Sequence, residues 1–443
     1  MSCRRRVLTM VVGLADKLKK GVRLVIEGER TRLARVFGRS IYSDETFMRS
    51  VCDAEQTPRK LAESFRNRRD PRFFVDPADK ETILDEFGRR PRWSAESIIE
   101  DAEMLCRHKF SMLGAETVDL GNPIDWHRDF KSGGRWRPGM YYKLVSRWRP
   151  NGRADIKVPW ELSRFQHLPT LGKAYWLTGD ERYARELVDQ VSDWIARNPV
   201  GFGVNWACTM DVSIRAVNWL WGWYFVKESP SIDDRFVLLF LKSLWQHGVH
   251  IMDNLEIITF EGKKYKNNHY LADVAGLVYL GLMLPEFRVA AEWFDAGVHA
   301  LENEIRVQTH EDGPSFEQSV PYHRLALELF MYPALLCRLN GVDMSLGYLH
   351  RLERMVEFTA AYTKPDGTAP QIGDADDGRL HIMSEYRRWD RRDHRYLLEI
   401  GAKLFGRDEF MSAASQEWEE AFWLTRWMGN RPIAQSRSEP YTL

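Results

Sequence analysis

Cysteine is scarce and scattered. Cys3, Cys52, Cys106, Cys208 and Cys337 form no CxxC pair, which argues against a disulfide-framed small fold and a cysteine zinc module. No run of eighteen apolar residues occurs, so no membrane span is predicted. Net charge is absent too. The 63 Lys and Arg residues balance 63 Asp and Glu, which gives no support for a nucleic-acid partner. The chain has no Gly-rich phosphate loop, no nucleophile elbow and no HExxH, so it lacks the signatures of nucleotide, α/β-hydrolase and zincin chemistry.

What is present is ordinary in bulk and uneven in detail. Apolar residues make up 44% and charged residues 28% of 443, the composition of a globular protein long enough for a large core. Such a length suggests two to three domains or one large repetitive one. Seventeen tryptophans hint at a ring-lined groove, although core packing is their commoner use. Residues 1–70 hold seventeen Lys/Arg against nine Asp/Glu. Arg4-Arg5-Arg6 precedes the short apolar run Val7 to Ala15, which imitates a signal peptide. Leu8, Val11, Val12, Ala15, Leu18, Val22 and Val25 also fit a helical stripe. The preferred reading is a basic amphipathic helix packed on the body. A cleaved signal and a membrane-surface helix are the alternatives.

Residues 1–90 read as a helical arm punctuated by Pro58, Pro71 and Pro77. Residues 110–155 are rich in turn signals, with Trp126, Trp136 and Trp148 among arginines, and are expected to be an ordered irregular segment. From Trp160 the chain is predicted to form helical hairpins, over 160–177, 180–197, 208–227, 232–254, 267–283, 287–308, 316–339 and 345–363. Breakers such as Thr178-Gly179-Asp180 and Asn340-Gly341 mark the joints. The pairs recur about every fifty residues, the mark of stacked α-hairpins. They could form an open solenoid or a ring; segments 208–227 and 316–339 are apolar nearly all round, which favours an inner layer. The expected class is all-α.

Polar and aromatic residues collect at the helix starts. Lys264-Tyr265-Lys266-Asn267-Asn268-His269-Tyr270 precedes an apolar helix. Either asparagine could cap that helix, and its free N–H groups favour an anion such as a carboxylate. A second cluster runs from Glu311 to Arg324. It brings Glu317, Gln318, Tyr322 and His323 into a helix that would place Gln318 and Tyr322 on one face. Asp374 to Arg379 partly matches a calcium loop without its terminal Glu; the plainer reading is a turn in which Arg379 pairs an Asp. Asp211 and Arg215 are an i, i+4 pair that could be a salt bridge. Trp160, Glu161, Arg164 and His167 open the first hairpin. Helix starts converging at one end of a ring suit an extended, hydrogen-bonding ligand, and a polysaccharide is the natural candidate.

These motifs resemble heparinase II/III-type polysaccharide lyases, a group related to alginate lyases. The resemblance rests on Asn267 to Asp273 with Gly276-Leu277, Glu317-Gln318-Ser319 with Tyr322-His323, Pro370 to Arg379, Trp160 to Arg164, and Asn205 to Arg215. It spans roughly residues 90–430. It implies an incomplete (α/α) toroid over 91–430 that β-eliminates a uronic-acid-containing, acidic polysaccharide. Asn268 with His269 would neutralise the uronate carboxylate, and Tyr322 would serve as base, acid or both. Lys264, Lys266, His323 or Arg324 could lower its pKa. Substrate contacts are expected from Trp160, Glu161, Arg164, Asn205, Trp206, Arg215, Glu317, Gln318 and His323. Asp273 stands where the family often has Glu. The family continues into a C-terminal β-sandwich that commonly holds any metal site. That domain would begin around 431–443, so this chain is expected to hold no cofactor and to be weakly active alone. A periplasmic or secreted location is expected. Two further readings remain: a glycoside hydrolase using two of Glu161, Asp211, Glu317 and Asp374, and a non-catalytic exopolysaccharide-binding protein.

Overall fold

The computed structural model describes residues 42–429, apart from 54–55, 91, 115, 147 and 376–377. The N-terminal stripe and the 431–443 tail lie outside the described residues. Four helices come first: α1 (Asp44–Ser50), α2 (Pro58–Asn67), α3 (Lys80–Gly88) and α4 (Ala95–Cys106). Ser43, Thr57 and Ser94 cap α1, α2 and α4 by accepting from free N–H groups of the first turn. Leu61, Ala62 and Phe65 of α2 are buried, and that helix packs on a helix of the toroid, as does α1. The irregular segment that follows carries the strand pair β1 (Lys109–Phe110) and β2 (Val118–Asp119) and a short helix, α5 (Tyr142–Val145). Trp126 and Trp136 are fully buried there, so these rings hold the segment down instead of lining a groove.

The body is a run of helical hairpins. After α6 (Lys157–Leu162) come α7 (Leu168–Thr178), α8 (Glu181–Arg197), α9 (Thr209–Val226), α10 (Asp234–Asp253), α11 (Asn268–Met283), α12 (Ala290–Val307), α13 (Val320–Leu339) and α14 (Leu346–Tyr362). Helices α7, α9, α11 and α13 pack on one another in sequence, and each also packs on the helix that follows it. Sequence composition explains the two layers. All eighteen residues of α9 are buried, as are fourteen of sixteen in α11 and seventeen of twenty in α13. By contrast, α8 buries only a stripe through Tyr183, Leu187, Val191 and Trp194. Helices apolar all round form the inner wall, and amphipathic ones cover them. Close approach is built in by glycine. A Cβ on Gly276 would lie 2.7 Å from Ser213 Cβ, and one on Gly281 would lie 2.4 Å from the Phe294 nitrogen of α12. Helix α4 packs against α7 at one end of the wall; at the other, α15 (Arg395–Phe405), α16 (Asp408–Ala414) and α17 (Glu419–Thr425) follow, with α17 against α13. The architecture is an incomplete (α/α) toroid. No helix among the described residues is long and apolar enough to cross a membrane.

Two predicted helices differ at their starts. The one expected over 160–177 is two, because residues 163–167 turn the chain with Phe165 at φ 57°. The one expected from 316 begins at Val320. Ser319 is its cap, Pro321 sits in its first turn, and Gln318 is left-handed at φ 55°. Glu317 and Gln318 therefore stand in a loop, and Gln318 does not share with Tyr322 the helical face that the spacing predicted. The residues before α11 also differ from a plain helix lead-in. They form a hairpin of β3 (Ile258–Phe260) and β4 (Lys263–Tyr265), turned by Glu261-Gly262 with positive φ at both positions.

Candidate active site

Hairpin connectivity makes the inner helices run the same way, so their N-terminal ends gather at one end of the wall. At α11, Asn267 is the cap and its side chain accepts from the His269 N–H. Asn268, the first helical residue, is buried. Its backbone N–H donates to Glu317 Oε1 at 2.8 Å and its Nδ2 donates to Glu317 Oε2 at 3.0 Å. Glu317 thus fixes the carboxamide from the loop before α13. Asn268 Oδ1 is buried without a hydrogen-bond partner.

The His269 side chain is 39% exposed, and its Nδ1 lies 3.2 Å from Glu256 Oε2. Burial disfavours its cation, but the hydrogen bond and charge of Glu256 outweigh burial and raise its pKa above the ordinary histidine value. Glu256 comes from the turn after α10. Its backbone N–H donates to Asp273 Oδ2 at 2.7 Å, and its Oε2 also accepts from the Met210 N–H at 2.8 Å. Asp273 is fully buried; burial, with the neighbouring Glu256 charge, pushes its carboxyl well above the usual range. Cys208, the residue before α9, has its Sγ 3.6 Å from Glu256 Oε2 and 3.7 Å from His269 Nδ1. Across from it, Arg164 bridges Glu161 and Asp211 at 2.6 Å each. The two carboxylates hold its guanidinium pKa up despite burial.

Tyr322 lies in the first turn of α13. Its N–H donates to Ser319 Oγ at 3.2 Å, and that hydroxyl donates to the Asp374 carbonyl at 2.6 Å. The Val320 N–H donates to the Ile372 carbonyl at 3.0 Å. Three of the sequence motifs, 267–273, 315–324 and 370–379, are therefore tied together at the starts of α11 and α13. A cleft of about 470 Å³ reaches this end of the toroid, lined by Glu161, Gln166, Gln371, Tyr386, Trp389 and Arg391 among others.

Several expected contacts are turned inward. Arg215 is fully buried. It donates to the Ser163 and Asn205 carbonyls at 3.3 and 3.1 Å and to His247 at 2.8 Å, and lies 4.1 Å from the Trp194 ring centre. It makes no salt bridge to Asp211, whose partner is Arg164. Burial lowers its pKa to about 9. Asn205 donates to the Trp126 carbonyl and to Asn198, and Trp206 donates to the Asn198 carbonyl; both are buried. His323 sits between Ser315, Met355 and Thr359, and burial lowers its pKa to about 4. These four side chains are buried in the fold. Trp160 is partly buried and donates to the Val204 carbonyl, while Gln318 is exposed. Arg379 pairs with Glu328 and Glu420 deep in the core. Of the cations considered for Tyr322, Lys266 is engaged by Glu304, and Arg324 by the Gly378 and Arg391 carbonyls. Sequence reasoning missed Glu256, which lies in no motif, and gave no role to Cys208 within the Asn205 to Arg215 stretch; both reach His269 only through the fold.

Comparison with known proteins bears on the family and the fold. Residues 52–392 match the profile of the Heparinase II/III N-terminus family. A heparin-sulfate lyase of Bacteroides stercoris is 28% identical over 332 residues, which is 70% of this chain and 46% of that protein. A heparin-sulfate lyase of Pedobacter heparinus is 28% identical over 228 residues, 50% of this chain and 33% of the relative. The chain thus spans about half, or less, of the length of the curated relatives it matches. A heparinase III structure superposes with a TM-score of 0.52 at 20% identity, covering 94% of this chain and 56% of its own. Another heparinase III structure gives 0.52 at 18% identity, over 70% and 43%. At such identities the structural likeness speaks for the toroid alone.

Proposed function

The chain belongs to the heparinase II/III N-terminus family, and from that premise we propose that it is a polysaccharide lyase cleaving a uronic-acid-containing acidic polysaccharide by β-elimination. One observation carries the reading. Asn268 and His269, each held by its own carboxylate, open α11 beside the helix that Tyr322 opens.

The chemistry asks for this arrangement. The proton to be removed sits on C5, alpha to a carboxylate, and an ionised carboxylate stabilises the neighbouring carbanion poorly. Hydrogen-bond donors must first neutralise it. The second N–H of Asn268 Nδ2, the imidazolium of His269 and the N-terminal end of α11 supply donors and positive potential. Tyr322 Oη then takes the C5 proton, returns a proton to the leaving oxygen, or does both. The C5–H electrons form the C4=C5 double bond, and the C4–O bond breaks with its electrons leaving on oxygen. Glu317 and Glu256 act by positioning Asn268 and His269. The cleft with Tyr386, Trp389 and Arg391 would receive the neighbouring sugars, and a polymeric substrate suits an enzyme outside the cytoplasm.

A hydrolase reading is less well supported. It needs two carboxyl groups facing a scissile bond, yet Glu161 and Asp211 share Arg164 and Glu317 holds Asn268. The products separate the readings. Elimination leaves an unsaturated uronate that absorbs in the ultraviolet, hydrolysis gives reducing ends without it, and a binding protein releases nothing.

A further inference from the structure

The three side chains around His269 have the geometry of a metal site. Cys208 Sγ, Glu256 Oε2 and His269 Nδ1 are separated by 3.6, 3.7 and 3.2 Å, and all three ligand atoms lie within 4.8 Å of one another. With zinc bonds of about 2.3 Å to sulfur and about 2.0–2.1 Å to nitrogen and oxygen, a tetrahedral centre requires edges of about 3.5 Å for S···O, 3.6 Å for S···N and 3.3 Å for N···O. The observed triangle meets those lengths without movement. Its donors are one thiol, one imidazole and one carboxylate, a set suited to zinc.

The surroundings point the same way. Cys208 occupies an N-cap position, where Ser, Thr, Asp or Asn is usual, yet its side chain makes no capping hydrogen bond. The thiol faces Glu256 and His269 instead, and Glu256 Oε2 takes over an N–H of the first turn of α9. Glu256 is itself held through its backbone by Asp273, the kind of support that orients ligands in metal sites. Asp211, one turn into α9, is fully buried; its Oδ2 has no hydrogen-bond partner, and its charge bears on both Cys208 and His269. His269 Nε2 has no hydrogen-bond partner among the described residues.

We propose that Cys208, Glu256 and His269 bind one divalent transition-metal ion, zinc by preference, with the fourth position open. The ion takes the place of the protons that the three side chains otherwise share. Coordination through Nδ1 leaves the imidazole proton on Nε2, which makes that nitrogen a fixed donor. The inference deepens the lyase reading at this one point, by adding positive charge behind the group that neutralises the uronate. Metal uptake itself does not depend on that reading.

The test is cobalt titration of the full chain after treatment with chelator. The expected result is one equivalent bound, with a thiolate-to-cobalt charge-transfer band in the near ultraviolet and visible bands of tetrahedral intensity, all displaced by zinc. Cys208→Ser should abolish the charge-transfer band while Cys52→Ser keeps it, and Glu256→Gln should weaken binding at least tenfold. If Cys208→Ser does not fold, zinc protection of Cys208 from alkylation in the unaltered chain, read by mass spectrometry, answers the same question. Absence of stoichiometric uptake, a band that survives Cys208→Ser, or no protection of Cys208 overturns the proposal. Uptake without elimination would defeat the lyase reading alone, and elimination by a chain that takes up no metal would defeat this inference alone.

Discussion

Carboxylates at this site act at one remove, and their effects are separable. Glu256 raises the pKa of His269, so the imidazolium is favoured in the folded protein. A group raised in this way is protonated below its folded pKa and loses the proton as pH climbs through it. In the metal-free chain, lyase activity that relies on the cation should therefore fall on the alkaline side of a pKa above the ordinary histidine value. Glu256→Gln, assayed in chelator, should move that limb to lower pH, as read from the pH dependence of kcat/KM. An unmoved limb would remove His269 from the neutralising role. Glu317 makes two hydrogen bonds to Asn268. Bonds to a charged acceptor contribute about 1.5–3 kcal/mol, so Glu317→Ala should lower kcat by about tenfold or more, with a smaller change in KM. A loss confined to KM would make Glu317 a sugar contact instead.

Helices tell where residue patterns speak clearly and where they do not. Hairpin joints were legible because Gly, Pro and Asp–Gly breakers interrupt long apolar periods. The starts of α7 and α13 were not. A left-handed Phe165 and Gln318 have no composition signal, and Ser319-Val320-Pro321 is a short cap inside an already polar stretch. Asn268, His269 and Tyr322 were legible as a motif, whereas Glu256 reaches His269 only because the α10–α11 connection folds back on the start of α9. Arg215 shows the opposite error. A cation in a motif of a sugar-acting family suggests a ligand contact, yet α9 is buried on every side. Arg215→Met would orphan the Ser163 and Asn205 carbonyls, at about 1–3 kcal/mol for each buried unsatisfied group. It should lower the melting temperature by several degrees and leave KM for the polymer unchanged. A raised KM at an unchanged melting temperature would return Arg215 to substrate binding.

At the scale of the whole molecule, the toroid serves to bring helix starts together. Asn268 and His269 of α11 and Tyr322 of α13 stand at neighbouring helix starts because the inner helices run parallel and pack closely, as Gly276 does on Ser213 of α9. The measurement that bears most directly on this account is an ultraviolet assay of the chain and its Tyr322→Phe variant against a panel of uronic-acid polysaccharides, with melting curves alongside. The account predicts that the unaltered chain releases an unsaturated, ultraviolet-absorbing uronate from at least one of them. It also predicts that Tyr322→Phe loses about 10²-fold or more of that rate, the usual scale of acid–base catalysis, at an unchanged melting temperature. New reducing ends without the chromophore, or a Tyr322→Phe variant as fast as the unaltered chain, would contradict it.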